Sequence, residues 1–293
     1  MIACRYKNGP GPHCKWGVRM DMKRIGSAAW GFRALGLEEQ LALAAKLGFY
    51  THELGIANAD TDIPVDASPE TVAWVKKLYQ TYGLRLECAA TGNDFTGDDA
   101  PAQLEKVKTV IGLCGKLGVK KLRIFSGFTQ LTQMNEKLWQ QTAACLRESD
   151  AWAAQQGVTL CLETHGAVEG GPNGVRHIRS SSTQVDDLNR LLAGTEIRIV
   201  YDPANLNAVG EDIGAFFEAF QDRIGYVHLK DFAPVGDIWL QPCALGKGFA
   251  PWEPLKENLL ALDVPLLMEY ENPEDLETGL ITSLNGCVDI LKL

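Results

Sequence analysis

Four side chains that can bind a metal ion lie at the ends of short apolar runs in the second half of the chain. The runs cover 158–162, 197–200, 224–227 and 264–268, and the potential ligands at their ends are Glu163, Asp202, His228 and Glu269. Parallel strands present their carboxyl ends at one edge of a sheet, and alternate residues of a strand point to the same face. We therefore expect these four side chains to converge, although they are far apart in the sequence.

Three carboxylates and one imidazole form a hard site in which oxygen predominates. Such a site suits Mn²⁺, Mg²⁺ or Co²⁺ better than the thiolate ligands that are typical of structural zinc. The sequence therefore predicts one divalent metal ion, with Mn²⁺ as the first choice and Zn²⁺ as a less favoured alternative. A polar residue at the end of one strand is usually just solvated, but the recurrence on four consecutive strands indicates a built site.

Apolar runs and helical patterns alternate from residue 24 onward and define the elements that must position these residues. Eight such units predict an α/β fold, a closed (β/α)8 TIM barrel with an eight-stranded parallel sheet. Predicted helices end at a glycine before the next strand, as the loops of such units require, at Gly48, Gly83, Gly118 and Gly157. No G-x-G-x-x-G pattern follows the first strand, which argues against a dinucleotide-binding fold.

Residues 23–293 show no linker, so we predict that they form a single TIM-barrel domain. Residues 1–22 are rich in glycine, proline and basic side chains and carry no apolar segment of the secretory type. We expect them to form a flexible N-terminal extension, and Met20 or Met22 is an alternative start of the protein.

Composition limits the classes of partner. The net charge of −9 argues against nucleic acid, because binding to phosphate backbones depends on clustered lysine and arginine. No apolar run is long enough to cross a membrane. The eight cysteines contain no C-x-x-C pair and read as free, mostly buried thiols in a reducing compartment, so we expect a cytoplasmic protein. Assembly into a homo-oligomer is left open.

Two predicted loops are much longer than the two to six residues usual in such units. The loop 165–182 follows the fifth strand and holds five glycine or proline residues, and the loop 230–252 follows the seventh. Both would lie at the catalytic end of a barrel. We interpret them as lids or walls of a substrate site, with decorative insertions as the alternative.

The segments around the four predicted ligands resemble the metal-site strands of the xylose isomerase-like TIM barrel superfamily, also described as the sugar phosphate isomerase/epimerase family. The matching stretches are LETH at 162–165, YDPAN at 201–205, HLKD at 228–231, MEYE at 268–271 and LGKGFAPW at 245–252. The superfamily includes ketose 3-epimerases, hydroxypyruvate isomerases, inosose dehydratases and DNA repair enzymes of the endonuclease-four type. The resemblance covers residues 24–293.

This resemblance implies roles for individual residues. Glu163, Asp202, His228 and Glu269 would bind one divalent cation, and Glu163 and Glu269 would also be the catalytic acid/base pair. One glutamate removes the proton next to a substrate carbonyl, and the other returns a proton through a metal-stabilised enediolate. Contacts to the substrate would come from a second set, namely His165, Asn205, Lys230, Trp30 and Glu53. For His165 and Trp30, a solvated rim position and a core position respectively are the alternatives.

The implied substrate is a small carbohydrate: a ketose, a keto-sugar or a sugar phosphate. Isomerase or epimerase activity comes first, a lyase or dehydratase of the inosose dehydratase type is the alternative, and a non-catalytic sugar-binding barrel is the third reading. Asn205 and Pro234 stand where ketose 3-epimerases carry histidine and arginine, which argues against that specific assignment. The endonuclease branch also carries histidine at the position of Asn205, and it needs further histidine ligands. A DNA repair function is therefore disfavoured.

Overall fold

The computed structural model describes residues 24–291, and over these residues the chain alternates between strands and helices. The strands are β1 (Ile25–Ser27), β2 (Leu54–Gly55), β3 (Cys88–Ala90), β4 (Lys121–Ile124), β5 (Thr159–Glu163), β6 (Ala167–Gly171), β7 (Gly174–Ile178), β8 (Arg198–Tyr201), β9 (Ile224–Leu229), β10 (Asp231–Val235), β11 (Trp239–Cys243) and β12 (Leu266–Met268). The helices are α1 (Leu37–Lys46), α2 (Pro69–Tyr82), α3 (Ala100–Leu117), α4 (Glu136–Gln156), α5 (Val185–Leu192), α6 (Pro203–Ala208), α7 (Ile213–Phe220), α8 (Lys256–Ala261) and α9 (Leu276–Leu291).

Eight of the described strands form one parallel sheet in the order β1-β12-β9-β8-β5-β4-β3-β2. A parallel bridge between Ser27 and His52, just before β2, brings the two edges of the sheet together. The Ser27 N–H donates to the Thr51 carbonyl at 3.1 Å, and the Glu53 N–H donates to the Ser27 carbonyl at 2.8 Å. The predicted TIM barrel is confirmed.

Helix ends follow the local chemistry of the sequence. At the start of α2 the Ser68 hydroxyl accepts a hydrogen bond from the Thr71 N–H at 3.2 Å, and Pro69 occupies the first helical position. Gly83 and Gly118 end α2 and α3 with φ of 69° and 82°, a left-handed conformation that glycine adopts without steric cost. These ends orient each helix back toward the next strand.

The barrel interior and the layer between sheet and helices are filled by alternate residues of the same strands. Leu160 and Leu162 of β5 belong to the large apolar cluster beneath the helices. Cys161 and Glu163 alternate with these leucines along β5 and point to the opposite face, into the barrel. Cys161 belongs to a separate buried cluster that also comprises Ala28, Cys88, Val200, Tyr226 and Leu267. Each of the four predicted metal ligands follows an inward apolar residue by two positions, so each points into the barrel mouth.

Both long loops contain β-hairpins that the sequence reading did not predict. β6 pairs with β7 in the loop after β5, and β10 pairs with β11 in the loop after β9. Pairing of Leu240 with Val175 joins the two hairpins into a four-stranded antiparallel sheet, in the order β10-β11-β7-β6. The two long loops thus contain regular strands, and residues of both hairpins line the cavity at the barrel mouth.

Short helical elements lie between several of the strands. The first strand ends at Ser27, and Trp30 lies beyond it in a short 3₁₀ helix, Trp30–Phe32. Directly after β8 and Asp202 stands α6, a helix of six residues that the periodicity did not indicate. A 3₁₀ turn, Glu253–Leu255, leads directly into the short helix α8.

Within residues 24–291 no helix is long and apolar enough to cross a membrane. The six cysteines of this range are free thiols, five of them buried. Cys4, Cys14 and the predicted extension 1–22 lie outside the described residues.

Candidate metal centre

The four predicted ligands meet at the carboxyl ends of β5, β8, β9 and β12. Their donor atoms all lie within 4.8 Å of one another, and all four residues are buried. His228 is central: its Nδ1 lies 3.5 Å from Glu269 Oε2, 3.6 Å from Glu163 Oε1 and 3.9 Å from Asp202 Oδ2. Strand parity thus brings together a set of residues that the sequence could only place at separate strand ends.

Asp202 holds its position through both the backbone and the side chain. Its N–H donates to the Thr164 hydroxyl at 2.9 Å, and its Oδ1 accepts from the Asn205 N–H at 2.9 Å as the N-cap of α6. Oδ2 therefore faces the cluster, 3.2 Å from the Lys230 ammonium. The first turn of α6 binds Oδ1 and thereby leaves Oδ2 of Asp202 directed at the cluster.

Glu163 is flanked by a buried cation and an amide. Arg123 Nε lies 3.3 Å from Oε2, and Asn205 Nδ2 donates to Oε1 at 3.2 Å. Burial opposes ionisation, but His228 and Arg123 outweigh it and lower the pKa of Glu163 to about 2. Arg123 is therefore an ion-pair partner of Glu163 inside the barrel.

Glu269 is flanked by a different cation. Lys230 Nζ lies 2.8 Å from Glu269 Oε2 and 2.9 Å from Glu271 Oε1. Burial again opposes ionisation, but Lys230 and His228 hold the pKa of Glu269 well below its usual value. Both glutamates are consequently carboxylates at neutral pH.

The raised pKa of His228 indicates that the cluster favours a positive charge at its centre. Burial disfavours the imidazolium, but Glu269 and Glu163 outweigh it and raise the pKa of His228 well above its usual value. Burial raises the pKa of Asp202 to about 7, although Lys230 opposes the rise. Among residues 24–291 neither imidazole nitrogen of His228 has a hydrogen-bond partner. A divalent cation beside Nδ1 would satisfy that nitrogen and the three carboxylates, so the donor set fits a metal ion.

The cluster opens into a cavity of about 510 Å³ at the barrel mouth. Five of the predicted site residues line it: Glu163, Glu269, His165, Lys230 and Trp30. Asn205 and Glu53 are fully buried behind the cavity surface. Glu53 accepts a hydrogen bond from the Tyr226 hydroxyl at 2.6 Å and lies 3.8 Å from His228 Nε2. Their direct contact with a substrate stays a prediction.

His165 faces the cavity, as its strand parity with Glu163 predicts. Its Nδ1 lies 2.5 Å from the Gly166 carbonyl oxygen, and its ring meets the edges of Phe125 and Phe128 at centroid distances of 5.2 and 5.7 Å. Burial lowers the pKa of His165, so the ring is neutral at neutral pH. It can therefore exchange a hydrogen bond with an uncharged hydroxyl.

A family model for the xylose isomerase-like TIM barrel matches residues 41–286. The chain belongs to this family. No curated protein matches it. The IOLI protein with a bound zinc atom is similar in structure, with a TM-score of 0.72, 17% identity, and coverage of 92% of this chain and 98% of that one. An L-ribulose 3-epimerase has a TM-score of 0.70 and 19% identity, with coverage of 92% and 94%.

A third similar structure is the probable 3-DHS dehydratase AsbF of Bacillus anthracis. Its TM-score is 0.68 with 14% identity, and the match covers 88% of this chain and 97% of that one. Identities at this level show the shared fold. The structures that this xylose isomerase-like barrel resembles thus include both an epimerase and a dehydratase.

His177 and Glu271 are among the cavity-lining residues of this barrel that sequence reasoning missed. His177 lies in β7, and Glu271 lies two positions after Glu269. The signal for Glu271 was present, because it shares the inward parity of Glu269 beyond β12. His177 could be placed only once the hairpin β6-β7 was recognised.

Proposed function

We propose that the protein is a metal-dependent isomerase or epimerase of a small ketose or keto-sugar, with Glu163 and Glu269 as its acid/base pair. One observation carries the proposal. Two buried, ionised glutamates lie beside the imidazole of His228, and both line the same cavity. When bound, a divalent cation polarises the substrate carbonyl and stabilises developing negative charge on its oxygen.

The residues of the chain divide the proton transfer between them. One glutamate, as a carboxylate, accepts the proton next to the carbonyl; the other carboxylate takes up a proton from solvent and delivers it to the opposite face of the same carbon, which inverts that carbon. Delivery of the proton to the neighbouring carbon instead interconverts a ketose and an aldose, or shifts the carbonyl group along the carbon chain. Arg123 and Lys230 hold the two carboxylates in position, one beside each, at 3.3 and 2.8 Å.

Mn²⁺ is our first choice of metal, because three carboxylates and one imidazole are hard donors without a thiolate. Mg²⁺ and Co²⁺ suit the same donors. Zn²⁺ is supported by the bound zinc of the similar IOLI protein. We also propose a cytoplasmic location, since the six described cysteines are free.

A dehydratase is the second candidate. Its support is the similarity to a probable 3-DHS dehydratase and the presence of Lys230 on the cavity surface. After proton loss next to the carbonyl, an ammonium 2.8 Å from Glu269 can protonate a departing β-hydroxyl. The product would then be smaller than the substrate by one water.

Solvent exchange distinguishes these activities. The Mn²⁺-loaded protein is incubated in D₂O with erythrulose, fructose and 2-keto-myo-inositol, and carbon-bound deuterium is measured by NMR and mass spectrometry. The proposal expects deuterium next to the carbonyl together with an epimer or isomer. A product lighter by one water indicates the dehydratase, and ligand binding without any exchange indicates a non-catalytic sugar-binding barrel and contradicts both enzymes.

A further inference from the structure

The outer part of the cavity is apolar and partly open. Val168, Val175 and Pro242 of the two hairpins line it together with Phe128, which follows β4. Phe128 is 37% exposed and Val168 is 44% exposed. Large apolar side chains left exposed inside a cavity mark a surface that a ligand covers. The ligand that fits this surface has an apolar part directed away from the metal centre.

The cations that line the cavity are already engaged within the described part of the chain. Arg123 pairs with Glu163, and Lys230 lies within 3.2 Å of three carboxylates. Arg33 donates to two backbone carbonyls at 2.9 and 3.0 Å, and its guanidinium lies over the indole of Trp30 at 4.6 Å. A phosphate in this cavity would have to compete with each of these contacts.

The loop after the seventh barrel strand is a common phosphate-binding position in TIM barrels, through its backbone N–H groups. In this chain the donors of that loop point at an internal carboxylate. Asp231 accepts hydrogen bonds from the N–H groups of Gly246 at 3.1 Å, Gly248 at 3.2 Å and Ala250 at 3.2 Å, and from Trp252 Nε1 at 3.1 Å. These donors are therefore already bound to a carboxylate of the chain, and a substrate phosphate would have to displace Asp231 to reach them.

His177 adds a neutral polar group to the hairpin side of the cavity. Its ring lies 4.8 Å from that of Phe232, and within residues 24–291 its Nδ1 has no hydrogen-bond partner. Burial lowers the pKa of His177 to about 3, so the imidazole is uncharged at neutral pH. An uncharged imidazole beside an apolar surface suits a hydroxyl or ether oxygen better than an anion.

We propose that the substrate is an unphosphorylated keto-sugar that carries an aryl-sized apolar substituent, which packs against Phe128 and Val168. This assignment rests on the proposed function, because the keto-sugar end is placed at the metal centre. A cavity of about 510 Å³ lies in the range for drug-sized ligands, roughly 300–1,000 Å³, so it accommodates a sugar ring and an aromatic ring together.

The first test compares two probes that differ only in the substituent. Methyl and phenyl 3-keto-β-D-glucopyranoside are titrated calorimetrically into the Mn²⁺-loaded protein. Burial of a phenyl ring predicts that the phenyl compound binds at least about tenfold more tightly. Phe128→Ala reduces this ratio to about threefold or less. Ile238→Ala is the matched control, because Ile238 is 53% exposed at the turn of the β10-β11 hairpin and does not line the cavity. This variant is expected to leave the ratio unchanged.

The second test adds a phosphate. The 6-phosphate of the methyl compound is expected to bind no more tightly than its parent, and inorganic phosphate is expected not to displace the phenyl compound. Tenfold tighter binding of the phosphate ester contradicts the assignment. Equal affinity for the methyl and phenyl compounds, no binding of either, or a ratio that persists in Phe128→Ala also contradicts it.

Exchange in D₂O on the same samples separates this assignment from the proposed function. Deuterium exchange without a phenyl preference overturns the substrate assignment and leaves the enzyme activity in place. A phenyl preference that disappears in Phe128→Ala, without exchange into either probe, supports the apolar surface and contradicts the enzyme activity.

Discussion

The barrel mouth contains two regions of opposite character. The floor comprises Glu163, Asp202, His228 and Glu269 on parallel strands, and it is charged and buried. The wall comprises the hairpins β6-β7 and β10-β11, which are antiparallel, half-buried and joined through the pairing of Leu240 with Val175. The floor is fixed by the barrel itself, whereas the wall is an insertion between barrel elements. We infer that the floor determines the chemistry and the wall determines which molecule reaches it.

The largest expected effect concerns the floor. Glu269→Gln and Glu163→Gln each remove a proton-transfer group and are expected to lower the D₂O exchange rate by about 10²- to 10⁴-fold. Glu274→Gln, at an exposed position in the turn before α9, is the control and is expected to retain the wild-type rate. Substantial exchange in Glu269→Gln would rule out its acid/base role.

Metal binding to the floor is expected to depend on pH. In the metal-free protein His228 has a raised pKa and carries a proton at pH 7, which a cation must displace. Mn²⁺ affinity therefore rises with pH and falls as pH falls, by about tenfold per pH unit for each proton released. Calorimetry in buffers of different ionisation enthalpy measures both quantities. An affinity that is constant between pH 6 and 8 would contradict this coupling.

The pKa of the half-buried wall histidine, His177, is shifted in the opposite direction to that of His228. His177 has a pKa of about 3 when folded and about 6.5 in an unfolded chain, so only the unfolded chain gains a proton between these values. Stability is thus highest above pH 6.5 and declines as pH falls toward 3, by at most about 1.4 kcal/mol per pH unit from this group. His177→Gln is expected to reduce the pH dependence of the free energy of unfolding, measured with urea, across this interval. An unchanged pH dependence would contradict the assigned neutral state.

The smallest expected effect concerns the junction of the two hairpins. A Cβ at Gly171 would collide with the Trp239 ring, whereas a Cβ at Gly170 meets nothing within 4 Å from the described part of the chain. Gly171→Ala is therefore expected to shift the wall and weaken binding of the phenyl compound by about threefold to tenfold. Gly170→Ala is the matched control and should behave as wild type in the same titration. Equal behaviour of the two variants would show that this contact does not position the wall.

The floor could be predicted from the sequence because its signals are local. Each strand is an apolar run, and the parity of Cys161 and Glu163, or of Tyr226 and His228, is fixed by the period of a strand. The N-terminus of α6 was also readable, since Asp202 followed by Pro203 is a typical helix start. That signal was overlooked because Asp202 was interpreted only as a metal ligand, whereas its Oδ1 caps α6 and its Oδ2 faces the cluster.

The wall could not be predicted in the same way because its stability depends on distant partners. Gly170, Gly171 and Gly174 weaken the strand signal of the first hairpin, and Val175 finds its partner Leu240 far along the chain. The same limit applies to Glu53, whose position beside His228 follows from a hydrogen bond with Tyr226 across the barrel. No local pattern reports such a contact.

We expect the four floor residues to hold one divalent cation. The most direct measurement is an anomalous difference map at the manganese edge from crystals of the Mn²⁺-loaded protein. We predict one peak per chain, within about 2.0–2.6 Å of donor atoms from Glu163, Asp202, His228 and Glu269. A map with no peak between these residues, or with the peak elsewhere, would contradict the account.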